Sequence, residues 1–343
     1  MVIALFSSRL SPFSEMENNN PYRVLKTTRF LSCVLLVLGF QASTFSQQYE
    51  IPEQTKKIVF LGNSITYQGS FIHCIDAFLE LKSPESKYEI INLGLPSETV
   101  SGLSEPNHAN GEFPRPDLHE RLQRALDQTK PDLVIANYGM NDGIYLPFDE
   151  GRFGKFKEGM IWLHESVEKS GAKIIHVTPP VFDERKDPAY ANVLDIYSSW
   201  LVSMRYTHDW EVIDLHWPMR KALEDHRKEN PEFAFAEDGV HPNADGHFLM
   251  AKEILIGLGM NEIEEKEHSS QLLNHKNGEE ILNLISQRQT ILRDAWLRST
   301  GHNRPGLTTG LPMEEAQKKV NQLNQEIELM INEIKSSLTD SIK

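Results

Sequence analysis

Five residues in four short segments of the chain have the side-chain and backbone types needed to cleave an ester. They are Ser64 in Gly-Asn-Ser-Ile, Gly94 in Asn-Leu-Gly, Asn141 in Gly-Met-Asn-Asp, and Asp238 and His241 in Asp-Gly-Val-His-Pro. A serine hydroxyl attacks a carbonyl when an imidazole accepts its proton, and the imidazole needs a carboxylate that holds its tautomer. A separation of three residues lets Asp238 reach one ring nitrogen of His241 while the other faces Ser64. This pattern predicts a serine nucleophile with an acid-base pair.

The same segments supply candidate donors for an oxyanion hole. Acyl transfer passes through a tetrahedral intermediate whose negative oxygen must be met by hydrogen-bond donors placed in advance. We expect the backbone N–H groups of Ser64 and Gly94 and the side-chain amide of Asn141 to supply them. Glycine has no Cβ, so the backbone at position 94 can approach closely. Asp142 is expected to shape the Asn141 loop without a catalytic role.

Each of these residues also has a purely structural interpretation. Serine commonly caps helices, so Ser64 could merely cap the helix after the first strand. Gly94 could be a turn glycine, and His241, which precedes Pro242, could be an ordinary loop histidine. The combination of the four segments, more than any one of them, favours catalysis.

Short apolar runs alternate with longer helix-like segments, which is the pattern of a parallel sheet flanked by helices. The predicted strands are residues 57–61, 88–93, 133–137, 173–178 and 211–214, and the predicted helices are residues 70–82, 118–129, 153–170, 189–206, 218–228 and 244–258. Ligands of open α/β sheets bind beyond the carboxyl ends of the strands. Ser64, Gly94 and Asn141 each follow one of the first three strands, so we expect them to meet at that edge.

In order and content, the four segments resemble the sequence blocks of the SGNH (GDSL-type) esterase and lipase superfamily, over about residues 57–258. The resemblance implies a flavodoxin-like three-layer α/β sandwich around a five-stranded parallel sheet. It also implies ester hydrolysis through an acyl-serine at Ser64, without a metal or organic cofactor. Asn63 stands where the commoner family sequence has Asp, which bears on the subfamily more than on the chemistry. Substrates of the superfamily include acetylated carbohydrates, phospholipids and thioesters.

Sequence signatures of other enzyme classes are absent. The chain has no Gly-x-Ser-x-Gly nucleophile elbow and no glycine-rich phosphate-binding loop. Several histidines lack the spacing of metal ligands, namely His73, His108, His119, His176 and His247. The remaining alternative from another class is a non-catalytic carbohydrate-binding or scaffolding module on the same sheet.

The net charge of the chain limits the classes of molecule that the protein is expected to bind. The chain has 343 residues and a formal net charge of −14, which repels nucleic acid and anionic membranes. A neutral ester, such as an acetylated polysaccharide, meets no such barrier and is the expected substrate.

The first 46 residues are predicted to be an export signal. Arg23, Lys26 and Arg29 precede an apolar run at residues 30–40, and small residues follow it. This run is shorter than the ~20 residues that span a bilayer. We therefore expect a periplasmic or extracellular protein without a permanent membrane anchor. Cys74 is then the only cysteine of the mature chain, and no intramolecular disulfide can form.

A helical extension is predicted after the hydrolase-like region. The expected divisions are a signal at 1–46, a linker at 47–56, a hydrolase domain at 57–260 and an extension at 261–343. Apolar residues recur at helical spacing over residues 278–298 and 312–336, so these segments should form an antiparallel hairpin that packs on itself or on the hydrolase domain. The segment between them contains His302 and Arg304, which could bind substrate or merely connect the helices.

Overall fold

The computed structural model describes residues 47–82, 88–273 and 277–341. The predicted export signal lies outside the described residues. Within the described ranges, every helix is too short or too polar to cross a bilayer.

The centre of the fold is a parallel sheet of five strands. The strands are β1 (Lys57–Gly62), β2 (Glu89–Asn92), β3 (Leu133–Asn137), β4 (Lys173–Val177) and β5 (Glu211–Ile213), and their order in the sheet is β2-β1-β3-β4-β5. In β1, Ile58 through Leu61 are all buried, because helices cover both faces of the sheet. The strand order is that of flavodoxin, with a switch point between β1 and β3. The predicted α/β fold is confirmed.

Nine α-helices connect and cover these strands in the described part of the chain. They are α1 (Ser64–Gln68), α2 (Ser70–Lys82), α3 (Leu122–Thr129), α4 (Glu150–Lys169), α5 (Pro188–Thr207), α6 (His216–Glu229), α7 (Ala244–Gly257), α8 (Gly278–Thr300) and α9 (Met313–Ser341). Helix α2 packs against α7 and α8, while α4 contacts β4 and α5 contacts β5.

The C-terminal helices α8 and α9 pack on each other, and α8 also packs against α2 and β2. The predicted hairpin therefore packs both on itself and on the sheet domain. Asp76 on α2 holds this contact, because its buried carboxylate accepts from Arg288 Nη2 at 2.7 Å and from Gln289 Nε2 at 2.6 Å. The described residues from Gln47 onwards accordingly belong to one compact unit.

The predicted helix at 118–129 is interrupted. A short 3₁₀ turn, Leu118–Glu120, precedes α3, and Arg121 between them has non-helical dihedral angles. The buried guanidinium of Arg121 forms two hydrogen bonds to Glu98, and Nη2 also donates to the Leu93 carbonyl. The helix is interrupted at Arg121, where the ion pair with Glu98 fixes the side chain. Helical periodicity in the sequence cannot reveal such a contact.

Candidate active site

Ser64 is the first residue of α1, directly after β1. Asn63 caps this helix, since its Oδ1 accepts from the Ile65 N–H at 3.0 Å. Gly69 ends the helix in a left-handed conformation with φ of 74°. A Cβ at Gly62 would lie 2.1 Å from Thr66 Oγ1, so the strand passes into the helix where no side chain fits. Asn63, at the position where the family commonly has Asp, thus acts as a helix cap.

The predicted nucleophile, base and acid form one hydrogen-bonded chain. Ser64 Oγ lies 2.8 Å from His241 Nε2, and His241 Nδ1 lies 2.7 Å from Asp238 Oδ2. The second carboxylate oxygen of Asp238 accepts the backbone N–H groups of Val240 at 2.9 Å and His241 at 2.8 Å. Partial burial opposes ionisation of Asp238, but these hydrogen bonds outweigh it and lower the pKa of the carboxyl. A charged carboxylate therefore orients the imidazole.

A tight loop before α7 makes this arrangement possible. Gly239 has a φ of 86°, a conformation that favours glycine. Asn243 then caps α7, accepting the Gly246 N–H at 3.0 Å. The turn at Gly239 and the cap at Asn243 fix both ends of the segment that carries His241.

Asn141 is buried beside the loop that follows β2. Its Nδ2 donates to the Glu98 carbonyl at 3.1 Å, and its Oδ1 accepts from the Tyr145 hydroxyl at 3.0 Å. Both ends of the amide are therefore oriented. The second amide hydrogen of Asn141 meets no acceptor in the part of the chain that the structure describes.

Gly94 is not placed as an oxyanion donor. Its N–H donates to Asn92 Oδ1 at 2.8 Å, so the predicted donor already has an acceptor. A Cβ at Gly94 would lie 2.2 Å from the Tyr67 nitrogen, which shows that this glycine allows β2 and α1 to approach. Glycine is required here for packing between two elements.

A turn at residues 95–98 presents another N–H at the same edge of the sheet. The Glu98 N–H donates to the Leu95 carbonyl at 3.1 Å, and Ser97 at the third position has a φ of 69°. With Pro96 in the second position, these features describe a type II turn. No acceptor for the Ser97 N–H occurs among the described residues. The turn adjoins Asn141, because the Glu98 carbonyl accepts its amide.

Buried charges tie the two loops together. Asp142 Oδ1 accepts the N–H groups of Val100 and Ser101, and Oδ2 accepts that of Gly139, each at 2.9 Å. The expected loop-shaping part of Asp142 agrees with these contacts. Glu98 accepts from Arg121 and, at 2.7 Å, from the Tyr138 hydroxyl. The sequence offered only one signal for this network, a charged Glu98 in the loop that follows an apolar strand.

His302 and Arg304 lie in the connector between α8 and α9. His302 lines a cavity of about 240 Å³ together with Tyr67, and the guanidinium carbon of Arg304 lies 5.2 Å from the centre of the Phe113 ring. Within the described ranges, no hydrogen bond joins either side chain to Ser64 or Asn141. Substrate binding by this pair stays a prediction.

In residues 47–82, 88–273 and 277–341, no group of three or more His, Cys, Asp or Glu side chains is arranged to hold a metal ion.

The sequence from residue 60 to residue 249 matches the family described as GDSL-like Lipase/Acylhydrolase. This span covers more than half of the chain and includes Ser64, Asn141, Asp238 and His241. The chain belongs to this family and is a hydrolase that acts on ester bonds.

Several solved structures are similar to this chain. A gut microbial diltiazem-metabolizing enzyme is 20% identical with a TM-score of 0.49, and the match covers 62% of this chain and 49% of that one. The chain thus spans about half the length of that enzyme. A catalytic mutant of Axe2, an acetylxylan esterase from Geobacillus stearothermophilus, is 21% identical with a TM-score of 0.47, covering 60% and 94%. LAE5, an alpha/beta hydrolase enzyme from the metagenome of Lake Arreo, Spain, is 22% identical with a TM-score of 0.48, covering 60% and 95%. No curated protein matches the chain.

Proposed function

We propose that the protein hydrolyses acetyl esters of carbohydrates through an acyl-serine intermediate at Ser64. The observation that carries this proposal is the continuous hydrogen-bonded chain from Ser64 Oγ through His241 to Asp238. We also propose that the reaction needs no metal or organic cofactor, as the family resemblance implies.

Each step uses a group in this chain. Ser64 Oγ attacks the ester carbonyl carbon while its proton passes to His241 Nε2, and Asp238 stabilises the imidazolium. The oxyanion accepts hydrogen bonds from the N–H groups of Ser64 and Ser97 and the amide of Asn141. Collapse of the intermediate expels the alcohol, which takes the proton from His241. Water then attacks the acyl-serine with His241 as the base, which releases the carboxylic acid and restores Ser64.

Two properties favour a carbohydrate as the alcohol part. The side chains of His241 and Asp238 are 44% and 55% exposed, so a bulky alcohol can approach the scissile bond on that side. The formal net charge of −14 does not oppose a neutral glycan, whereas it repels anionic lipid surfaces. Export directed by residues 1–46, which we also propose, would bring the enzyme to such polymers.

A fluorophosphonate probe tests the nucleophile. We expect it to label folded wild-type protein at Ser64, and peptide mass spectrometry should locate the adduct there. Ser64→Ala is the matched control and should remain unlabelled. Folded wild-type protein that resists the probe would favour the alternative function, a non-catalytic carbohydrate-binding or scaffolding module.

An ester panel tests the substrate class. Purified protein is assayed with 4-nitrophenyl acetate, butyrate and octanoate and with acetylated xylan, and Ser64→Ala gives the background. We expect the acetyl ester to be cleaved fastest among the nitrophenyl esters and acetate to be released from xylan. Preference for octanoate would contradict the proposed acyl group, and inert xylan would contradict the proposed carbohydrate.

A further inference from the structure

The loop that carries Asn141 continues into an unusual backbone segment. Ile144 and Tyr145 have φ values of 47° and 55°, a left-handed conformation that β-branched and bulky residues rarely adopt. Such conformations persist only where the surroundings hold them, and they cluster at functional sites. Here the backbone directs the Tyr145 ring inward, where it stacks on the Tyr190 ring at 4.7 Å between centroids.

Tyr145 fixes the orientation of the Asn141 amide. Its hydroxyl donates to Asn141 Oδ1 at 3.0 Å, while Asn141 Nδ2 donates to the Glu98 carbonyl at 3.1 Å. A flipped amide would place an NH₂ group against the Tyr145 hydroxyl and an oxygen against the Glu98 carbonyl, so the second contact would be repulsive. The amide hydrogen that does not face Glu98 is therefore held in one direction.

Arg115 connects this tyrosine to the turn that carries Ser97. The guanidinium carbon lies 5.2 Å from the centre of the Tyr145 ring, and Nη1 donates to the Ser97 carbonyl at 3.4 Å. Its other edge forms two hydrogen bonds to Glu105, from Nε at 2.6 Å and from Nη2 at 2.7 Å. Arg115 is only 8% exposed, and the carboxylate of Glu105 supplies the countercharge for this nearly buried cation.

We propose that Arg115 and Tyr145 are positioning residues. They hold the Asn141 amide and the Ser97 turn where both can donate hydrogen bonds to the oxyanion. The inference rests on the proposed function and extends it. Arg115 contacts the turn on one side and the Tyr145 ring on the other, and Tyr145 in turn orients Asn141. The guanidinium of Arg115 and the ring of Tyr145 thereby connect the loop after β2 with the loop after β3. Neither residue exchanges a proton with the substrate.

Tyr145→Phe is the most specific variant, because it removes only the hydroxyl and keeps the ring that contacts Arg115. We expect kcat for 4-nitrophenyl acetate to fall about tenfold to a hundredfold, which is less than the effect of deleting an oxyanion donor outright. KM should stay within about twofold, since ground-state binding is untouched. The pH at half-maximal kcat should not move, because the base is unchanged. Thermal unfolding of each variant shows whether its fold is retained.

A double-mutant cycle tests whether Tyr145 acts through Asn141. Asn141→Ala should lower kcat by about a hundredfold to a thousandfold. Adding Tyr145→Phe to that variant should produce no further loss, because the group that the hydroxyl orients is gone. Multiplicative losses would overturn the proposed route through Asn141.

Arg115→Lys gives a second, independent arm. Lysine keeps the charge but cannot bond both Glu105 oxygens and the Ser97 carbonyl in one plane, so kcat should fall with KM retained. Tyr197→Phe is the matched tyrosine control, because this buried ring lies on α5 among the rings of Phe153 and Phe156. We expect Tyr197→Phe to keep wild-type kcat.

The outcomes separate the inference from the proposed function. A wild-type protein that neither turns over esters nor takes the fluorophosphonate label would defeat the proposed function. An active wild type with unchanged kcat in both Tyr145→Phe and Arg115→Lys would overturn the inference alone. So would a rise in KM with kcat retained, because that pattern indicates direct contact with substrate.

Discussion

The acid-base side and the oxyanion side of the site are built in opposite ways. On the acid-base side, Asp238 and His241 are about half exposed, and their contacts lie within one loop and with Ser64. On the oxyanion side, Asn141, Asp142 and Glu98 are at most 3% exposed and are held by contacts between loops.

This difference predicts which substitutions should lower stability. An exposed carboxylate is well solvated with or without its partner, so its replacement disturbs the fold little. A buried carboxylate that holds a buried guanidinium leaves an uncompensated charge when it is replaced. The acid-base side should therefore lose rate but little stability on substitution, whereas replacing a buried charged support of the oxyanion side should also lower stability.

The largest effect is expected for Asp238→Asn. The imidazole loses its charged partner, and kcat should fall about 10³-fold to 10⁴-fold. Stability should change by less than about 1 kcal/mol, because the amide oxygen can still accept the backbone N–H groups of Val240 and His241. Ester turnover and urea unfolding provide the two measurements. Asp245→Asn, an exposed change in the first turn of α7, is the control. Wild-type kcat in Asp238→Asn would remove this residue from the site.

Glu98→Gln should lower stability strongly. Glu98 is 0% exposed and accepts from Arg121 Nε at 2.6 Å and Nη2 at 2.7 Å. Glutamine leaves the buried guanidinium of Arg121 without a countercharge, which costs about 3–5 kcal/mol in the free energy of unfolding. Glu120→Gln is the matched control, because it breaks an exposed pair with Arg124 and should cost less than about 1 kcal/mol. Equal urea midpoints for the two variants would contradict the contrast between the two sides.

The same contrast explains which parts the sequence could predict. The strands were predicted to within one residue at each end, because buried parallel strands read as continuous apolar runs. The acid-base pair was found because Asp238 and His241 are three residues apart in one loop. The pairing of Ser64 with His241 bridges a long stretch of chain and came from the order of the segments in the family resemblance, with no local pattern to indicate it.

The oxyanion side could not be predicted in the same way. Arg121 pairs with Glu98 across two loops, and Arg115 contacts Ser97 and Tyr145, yet these loops have no periodic pattern. Helix α1 was missed because five residues contain too little of a helical repeat to be recognised. Gly94 was interpreted by its residue type alone, whereas its geometry depends on how closely α1 packs against it.

The smallest expected effect concerns acid stability behind the acid-base side. His247 on α7 is 1% exposed, stacks on Phe71, and has no hydrogen-bond partner for either ring nitrogen in the described structure. Burial, with smaller contributions from the nearby His73 and His241, lowers its pKa to about 4. The folded state therefore favours the neutral ring, whereas the unfolded chain takes up a proton near pH ~6.5.

This group contributes stability in full above pH ~6.5 and loses it as the pH falls towards about 4, by up to roughly 3 kcal/mol. His247→Leu removes the titrating group at similar volume, so its free energy of unfolding should fall less between pH 7 and pH 4 than that of the wild type. At pH 7 the change should be small, since no hydrogen bond is lost. Urea unfolding across this range measures it, with the exposed His268→Leu as control. Parallel curves for wild type and His247→Leu would show that this imidazole does not cause the loss of stability at low pH.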